Sequence, residues 1–202
     1  MIPSVSIITP TTPDRSIWAS RLDQMVSNQD YPNIIQHCLI DGNDTIGAKR
    51  NRGCFETKGD IIVMMDDDDI YADNYVSLAV AALENTDNLG GFDIAGLSSA
   101  YFYHMGTKQA YRYDWKGSQP YIIESGMAFR RSTWQKRQFP RKSDGEGIIF
   151  QLGRRVGCIN ALYSFIATIH GTNISSHKNL HTMELLPFGY LNELPIFEYL
   201  KT

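Results

Sequence analysis

Four consecutive carboxylates, Asp66, Asp67, Asp68 and Asp69, close the stretch Gly59 to Tyr71, GDIIVMMDDDDIY. Like charges at that spacing repel one another, so folding them together calls for a cation or a set of donors beside them. Mg²⁺ or Mn²⁺ held by one or two carboxylates, with water and substrate phosphates filling the shell, suits the cluster better than Ca²⁺, which takes more ligands at loop spacing. The plainer alternative is a solvated acidic turn leading into a helix near Ala72. The residues in front favour a ligand. Ile61 to Met65 are five apolar residues without alternation, the pattern of a central strand covered on both faces. Such a strand delivers its carboxylates to the edge where open α/β sheets form their ligand crevice.

The elements that must position this turn follow from the chain on either side. Val5 to Thr9, stopped by Pro10, reads as a first buried strand, and the loop TPTTPDR behind it ends in Arg15. Ile17 to Gln29 carries Ile17, Trp18, Leu22, Met25 and Val26 at helical spacing. Ile34 to Ile40 reads as a second strand, ending in Asp41-Gly42-Asn43-Asp44, and Ile46 to Thr57 as a short basic helix with Lys49, Arg50 and Arg52. Three strand-to-loop transitions with helices between them predict a right-handed parallel sheet whose crevice gathers Thr9, Arg15, Asp41 and the Asp66–Asp69 run.

Beyond residue 72 a helix is expected to Glu84, burying Tyr75, Leu78, Ala79 and Ala82. Phe92 to His104 and Ala110 to Trp115 predict an antiparallel hairpin around Gly106, and Tyr121 to Arg130 another strand, with Gly126 where a ligand or backbone comes close. Ser143-Asp144-Gly145-Glu146 precedes a helix over Ile148 to Val156, and Ser143 or Asp144 can serve as its N-cap. Cys158 to Ile169 reads as a last strand ending in His170-Gly171-Thr172-Asn173, and Ser175 to Thr202 as an extension packed over the rest; His177 and His181 read as surface residues.

Composition narrows the classes. With 202 residues and 43% hydrophobic content the chain can bury one real core. A net charge of −3 gives no basic field, so nucleic-acid binding is not its main activity. Cys38, Cys54 and Cys158 have neither disulfide-framework nor zinc spacing, and a reducing compartment, the cytoplasm, is expected. No apolar stretch reaches the length of a membrane span, and no basic-then-apolar leader opens the chain, so a soluble protein without a span is expected.

The succession VSIITPTTPDR, LIDGND, GAKRNRG, GDIIVMMDDDD, FRRS, SDGE and HGTNIS resembles the family 2 glycosyltransferases of GT-A fold, in order and spacing, over roughly residues 4 to 175. The small size and the SDGE and HGTN details are also similar to viral and bacterial capsule-type members, the chlorovirus capsid-glycan enzymes among them. The resemblance implies an α/β, nucleotide-diphospho-sugar transferase fold: a mainly parallel central sheet flanked by helices, with a small antiparallel element. It implies a single domain over 1–202, with a nucleotide-binding half (1–90), an acceptor and catalytic half (91–175) and a C-terminal extension (176–202).

For individual residues the resemblance implies that Thr9, Pro10, Arg15 and Asp41 hold the nucleotide base. A carboxylate at Asp41 can accept the imide N–H of uracil, which points to a UDP-linked donor. Lys49 and Arg50 would lie near the nucleotide, a solvated helix face being the alternative. Asp66 would meet the ribose and Asp68 the metal between the phosphates. Asp67, with Asp69 in reserve, belongs to the same donor-binding set because four Asp in a row leave the register open.

Asp144 stands where inverting relatives carry the general base, with Glu146 as the alternative because this chain has Ser-Asp where relatives have Glu-Asp. His170 would complete the metal shell or touch the diphosphate; a structural histidine is the alternative. Tyr101, Tyr103, Tyr111, Tyr113, Trp115 and Trp134 are either an acceptor platform or core.

The function so implied is a metal-dependent, inverting transfer of a hexosyl or deoxyhexosyl group from a nucleoside-diphosphate sugar to a saccharide or glycan acceptor, with Mn²⁺ or Mg²⁺ as cofactor. Two other readings stay open. A sugar-nucleotide nucleotidyltransferase would need a Gly-rich basic loop after the first strand, which TPTTPDR is not. A non-catalytic glycan- or nucleotide-binding module would not need Asp66, Asp68, Asp144 and His170 intact.

Overall fold

In the computed structural model, which describes residues 1–85, 91–171, 173 and 180–201, the apolar runs become strands of two sheets. β1 (Val5–Pro10) leads through α1 (Ser16–Ser27) to β2 (Ile34–Ile40), and α2 (Ile46–Glu56) leads to β3 (Ile61–Met64). After the acidic turn come β4 (Ile70–Tyr71), α3 (Tyr75–Glu84), β5 (Ile94–Gly96), β6 (Ser99–His104) and β7 (Gln109–Asp114). The second half continues with β8 (Ala128–Arg130), α4 (Arg131–Lys136), α5 (Glu146–Gln151), β9 (Val156–Cys158), β10 (Phe165–Ile169) and β11 (Glu184–Leu185).

The larger sheet has the order β2-β1-β3-β8-β5-β9. β1 pairs in parallel with both β2 and β3, and β5 with β9, while β8 runs against its two neighbours. The smaller sheet, β11-β7-β6-β10-β4, is antiparallel except where β10 lies parallel to β6. The antiparallel element is thus a full second sheet.

Strand periodicity explains why the central strands carry no polar face. Val5, Ile7, Ile61 and Val63 point into one apolar cluster with α1, α3 and the smaller sheet, whereas Ile8, Ile62 and Met64 point into a second one with Cys54, Trp134, Phe139 and Phe150. Each such buried side chain stabilises the fold by about 1.5–3 kcal/mol.

Several expected boundaries shift. α1 starts behind a 3-10 turn over Pro13–Arg15, so Ile17 falls on its outer face and is 84% exposed, while Leu22 and Met25 are buried. α3 begins at Tyr75 and turns the stripe Val76, Val80 and Leu83 inward, leaving Leu78 and Ala82 half-buried. Of Tyr121 to Arg130 only β8 is a strand. Glu124–Gly126 is a 3-10 turn, and the group that comes close to Gly126 is the Tyr75 hydroxyl, from which an added Cβ would lie 2.0 Å.

Cys158 to Ile169 is not one strand. A 3-10 turn over Leu162–Ser164 separates β9 in the larger sheet from β10 in the smaller one. The expected helix over Ile148 to Val156 is the shorter α5, which starts two residues earlier. In the C-terminal segment β11 adds to β7, and Leu191, Ile196 and Phe197 are buried in the first cluster, Phe197 edge-on to Tyr103 at 5.1 Å. His181 is exposed, whereas His177 lies outside the described residues.

Candidate active site

The loops after β1 and β3, with the end of β10 in the smaller sheet, border a cleft of about 620 Å³. Pro10, Arg15, Lys49, Arg50, Asp66, Asp67, Asp68, Asp69 and Asp144 line it, together with Thr11, Thr12, Glu124, Ser125, Glu146 and Thr168. Three expected residues, Thr9, Asp41 and His170, stand outside the wall. Thr9 is fully buried below it, its hydroxyl 3.1 Å from His37 Nε2, and Asp41 is on the exposed rim beside Arg52, whose NH2 lies 3.6 Å from Asp41 Oδ1 and donates to the Asp41 carbonyl.

The four consecutive carboxylates have four different surroundings. Asp67 is 3% exposed; it accepts the Thr11 hydroxyl at 2.6 Å and a pair of bonds from Arg15, Nε at 2.9 Å and NH2 at 2.7 Å. Asp69 is buried behind the turn, accepts the Thr168 N–H at 3.0 Å and is raised well above the usual carboxylate range by burial and by the neighbouring Asp68 and Asp66. Asp66 and Asp68 open to the cleft.

Asp66 keeps 30% of its side-chain surface, yet it lies deep enough that burial raises its carboxyl to about 6, against the lowering pull of Arg50. Its N–H donates at 2.8 Å to the hydroxyl of Tyr71, which itself donates at 2.8 Å to the Ser125 carbonyl. Burial alone would raise Asp68, but hydrogen bonds from His170 and Arg15 leave it below the usual range.

Asp68 Oδ2 lies 2.9 Å from His170 Nε2 and 2.7 Å from Arg15 NH2. A carboxylate oxygen and an imidazole nitrogen so lie within hydrogen-bonding distance of each other, two groups of the kinds that bind Mn²⁺ while waters and phosphates complete its shell. Among the described residues no third His, Cys, Asp or Glu joins them. Asn173 Nδ2 stands 3.4 Å from the same oxygen, and Trp18 stacks on the His170 ring at 4.9 Å. Of the polar loop after His170, Thr172 and Ser175 lie outside the described residues.

Lys49 and Arg50 are no solvated face: they are 6% and 2% exposed. Lys49 Nζ donates at 2.6 Å to the Thr11 carbonyl, which fixes the loop after β1, and burial lowers its pKa. Arg50 NH1 lies 2.8 Å from Glu146 Oε1. Glu146, 2% exposed, is raised to about 7 by burial, Arg50 pulling the other way and Glu124 adding to the rise.

The segment that carries Asp144 docks on the start of α2, where Gly47 N–H donates to the Lys142 carbonyl at 2.9 Å and Ile46 N–H to the Ser143 hydroxyl at 3.3 Å. Asp144 itself is exposed on the lip of the cleft. Neither it nor Ser143 caps α5; the N-cap position belongs to Gly145, at φ +70°, which has no side chain for the task.

The wall facing the acids is apolar and made of Phe102, Tyr113, Tyr121, Ile123, Ile148 and Met183. Among the aromatic residues expected as a platform only Tyr113 reaches it. Tyr101, Tyr103 and Trp134 are core, Tyr111 is half-buried, and Trp115 lies tilted against Tyr121 at 4.8 Å. Phe102 was legible as the residue between Tyr101 and Tyr103, pointing the other way from a strand. Glu124 and Tyr71 carried no local signal, because their partners are distant in sequence.

The glycosyl transferase family 2 model matches residues 22–137, more than half of the chain. The chain belongs to glycosyl transferase family 2. Solved glycosyltransferase structures share its GT-A fold. Residues 1–349 of TarS from S. aureus, in complex with UDP-GlcNAc, match with a TM-score of 0.60 at 12% identity, over 84% of this chain and 60% of that one. The mannosyltransferase PcManGT from Pyrobaculum calidifontis, in complex with GDP-Man and Mn²⁺, matches with a TM-score of 0.57 at 14% identity, over 88% and 59%. The chain thus spans about 60% of the length of those neighbours. A comparison with curated proteins gave no match. Among the described residues no helix is long and apolar enough to cross a membrane.

Proposed function

We propose that this glycosyltransferase moves a sugar from a UDP-linked donor to a hydroxyl of a saccharide or glycan acceptor, with inversion and with a divalent ion bound. The observation that carries the reading is the pair Asp68 Oδ2 and His170 Nε2, 2.9 Å apart, with Asp68 lining a cleft that also carries apolar residues. The UDP-GlcNAc bound by one neighbour and the GDP-Man with Mn²⁺ bound by another support a nucleotide-sugar donor here.

In this reading the nucleotide lies along residues 1–90. Asp41 on the rim accepts the uracil imide N–H, Pro10 and Arg15 flank the base and phosphates, Lys49 holds the loop that forms their seat, and Asp66 faces the ribose. Asp68 and His170 hold Mn²⁺ or Mg²⁺, which when bound neutralises charge on the diphosphate.

The acceptor enters from residues 91–175 against Phe102, Tyr113 and Tyr121, with the 176–202 extension behind. Asp144 takes the proton from the acceptor hydroxyl as that oxygen bonds to the anomeric carbon, the bond from that carbon to the diphosphate oxygen breaks, and the nucleoside diphosphate leaves with the electron pair. The exposure of Asp144 on the lip supports this role, whereas Glu146 is enclosed and engaged by Arg50. The cysteine spacing supports a reducing compartment, the cytoplasm, for the reaction.

A thermal-shift panel of nucleoside diphosphates and their sugars, each with and without Mn²⁺, tests the reading, since a ligand bound to the native state alone raises Tm. Stabilisation by UDP or a UDP-sugar that requires Mn²⁺ is expected. Equal silence from all nucleotides in both conditions would overturn the donor assignment.

A further inference from the structure

Arg50 is the most enclosed cation of the cleft, and three carboxylates from distant parts of the chain meet it. Its NH1 lies 2.8 Å from Glu146 Oε1 and 3.6 Å from Glu124 Oε2, and its NH2 lies 3.4 Å from Asp66 Oδ1. Its Nε is buried with no hydrogen-bond partner, so the three acids, rather than saturation of its own donors, set where the guanidinium sits.

Glu124 extends the connection to backbone. It accepts the N–H of Gly147 at 3.2 Å and of Ile148 at 3.0 Å, two of the amides that the start of α5 leaves without intrahelical partners. Gly145 at the N-cap supplies no side-chain acceptor. Gly147 is bare for a matching reason: a Cβ there would stand 2.4 Å from Glu124 Cδ and push the carboxylate away. Asp144 lies immediately before this clamped turn.

We infer that Arg50, Glu124 and Glu146 form a positioning cluster which fixes the first turn of α5, and through it holds Asp144 in register with the donor-side acid Asp66. The inference rests on the reading of Asp144 as the base. None of the three residues need touch the reacting atoms; they act through Asp144.

Glu124→Gln keeps the size of the side chain and removes its charge. In the full chain, amide hydrogen exchange at Gly147 and Ile148 is expected to quicken about tenfold, with Tm and Mn²⁺-dependent UDP binding unchanged. With the donor chosen by the thermal-shift panel, kcat should fall about 100-fold at unchanged donor KM, the scale of a catalytic group displaced by about 1 Å.

Gly147→Ala, which displaces the same carboxylate from the helix side, should reproduce the pattern. The double variant Glu124→Gln/Asp144→Asn should be no slower than Asp144→Asn alone, because both act through one group. Unchanged exchange at the two amides, or a double variant slower by the product of the single effects, overturns the inference. If Asp144→Asn kept full transfer, the assignment of the base would fail instead, and the exchange measurement alone would decide whether the clamp exists.

Discussion

Two groups of carboxylates meet in this cleft, and they are built in opposite ways. Asp66 to Asp69 are neighbours in sequence and end up with different partners: the Asp66 N–H on the hydroxyl of Tyr71, Asp67 in the fork of Arg15, Asp68 between Arg15 and His170, and Asp69 behind Thr168. Asp66, Glu124 and Glu146 are far apart in sequence and end up around a single guanidinium. Contiguous acids are thus given different partners, with Arg15 shared by Asp67 and Asp68, while scattered acids are joined by a single cation. The first arrangement makes carboxylates of different basicity from identical residues, and the second makes one rigid unit out of three loops.

The largest effect that would sharpen this contrast comes from Asp68→Asn. If Asp68 is the member of the run that holds the metal, transfer falls about 10³-fold and Mn²⁺ no longer adds to the stabilisation by UDP. Full activity with Asn there would make the four acids equivalent again.

Arg15→Ala comes next. It strips the fork from Asp67 and one bond from Asp68, and a urea titration without ligand should show a loss of about 1–3 kcal/mol. Millimolar Mn²⁺ should restore part of that loss. An unchanged midpoint would mean that the run does not depend on its own donors.

The scattered cluster is probed by pH. Glu146 titrates near 7 when folded, above the ordinary carboxylate value of 4.5. A raised carboxyl contributes stability that is fully present below the unfolded value and is lost as pH rises through the folded one. Urea midpoints of the wild type relative to Glu146→Gln should therefore fall between about pH 4.5 and 7 and level off above. A flat difference over that window would place Glu146 outside the burial that Arg50 and Glu124 share.

The smallest effect is expected on the rim. Asp41→Ala should weaken UDP binding about fivefold, the scale of one hydrogen bond, and leave Tm unchanged because its pair with Arg52 is exposed. No change in UDP affinity by calorimetry would confine the nucleotide to the cleft proper.

How far these groups were legible in the sequence follows their construction. The acidic turn stood out because four Asp follow an unbroken buried strand, a purely local signal, and the strands and helices of the first half were readable for the same reason. Which of the four carboxylates opens to the cleft was not legible, since Thr11, Arg15, Thr168 and His170 reach them from other loops.

In the second half local signals mislead. An apolar run such as Cys158 to Ile169 carries no mark of the point at which the chain leaves one sheet for another, and YIIESGMAFR reads as a strand although its middle turns to present Glu124. The pattern between Arg50, Glu124 and Glu146 is long-range packing, and nothing in the spacing of those residues announces it.

The stacking of Trp18 on His170, at 4.9 Å and 23° between ring planes, has a practical consequence. Only three tryptophans occur in the chain; Trp134 lies in the core and Trp115 beside Tyr121. Intrinsic fluorescence therefore contains a component from an indole in contact with the imidazole that faces Asp68. Titration of a paramagnetic ion into that corner should dim this component, and Trp18→Phe should abolish the response, giving an optical read-out of site occupancy that needs neither label nor substrate.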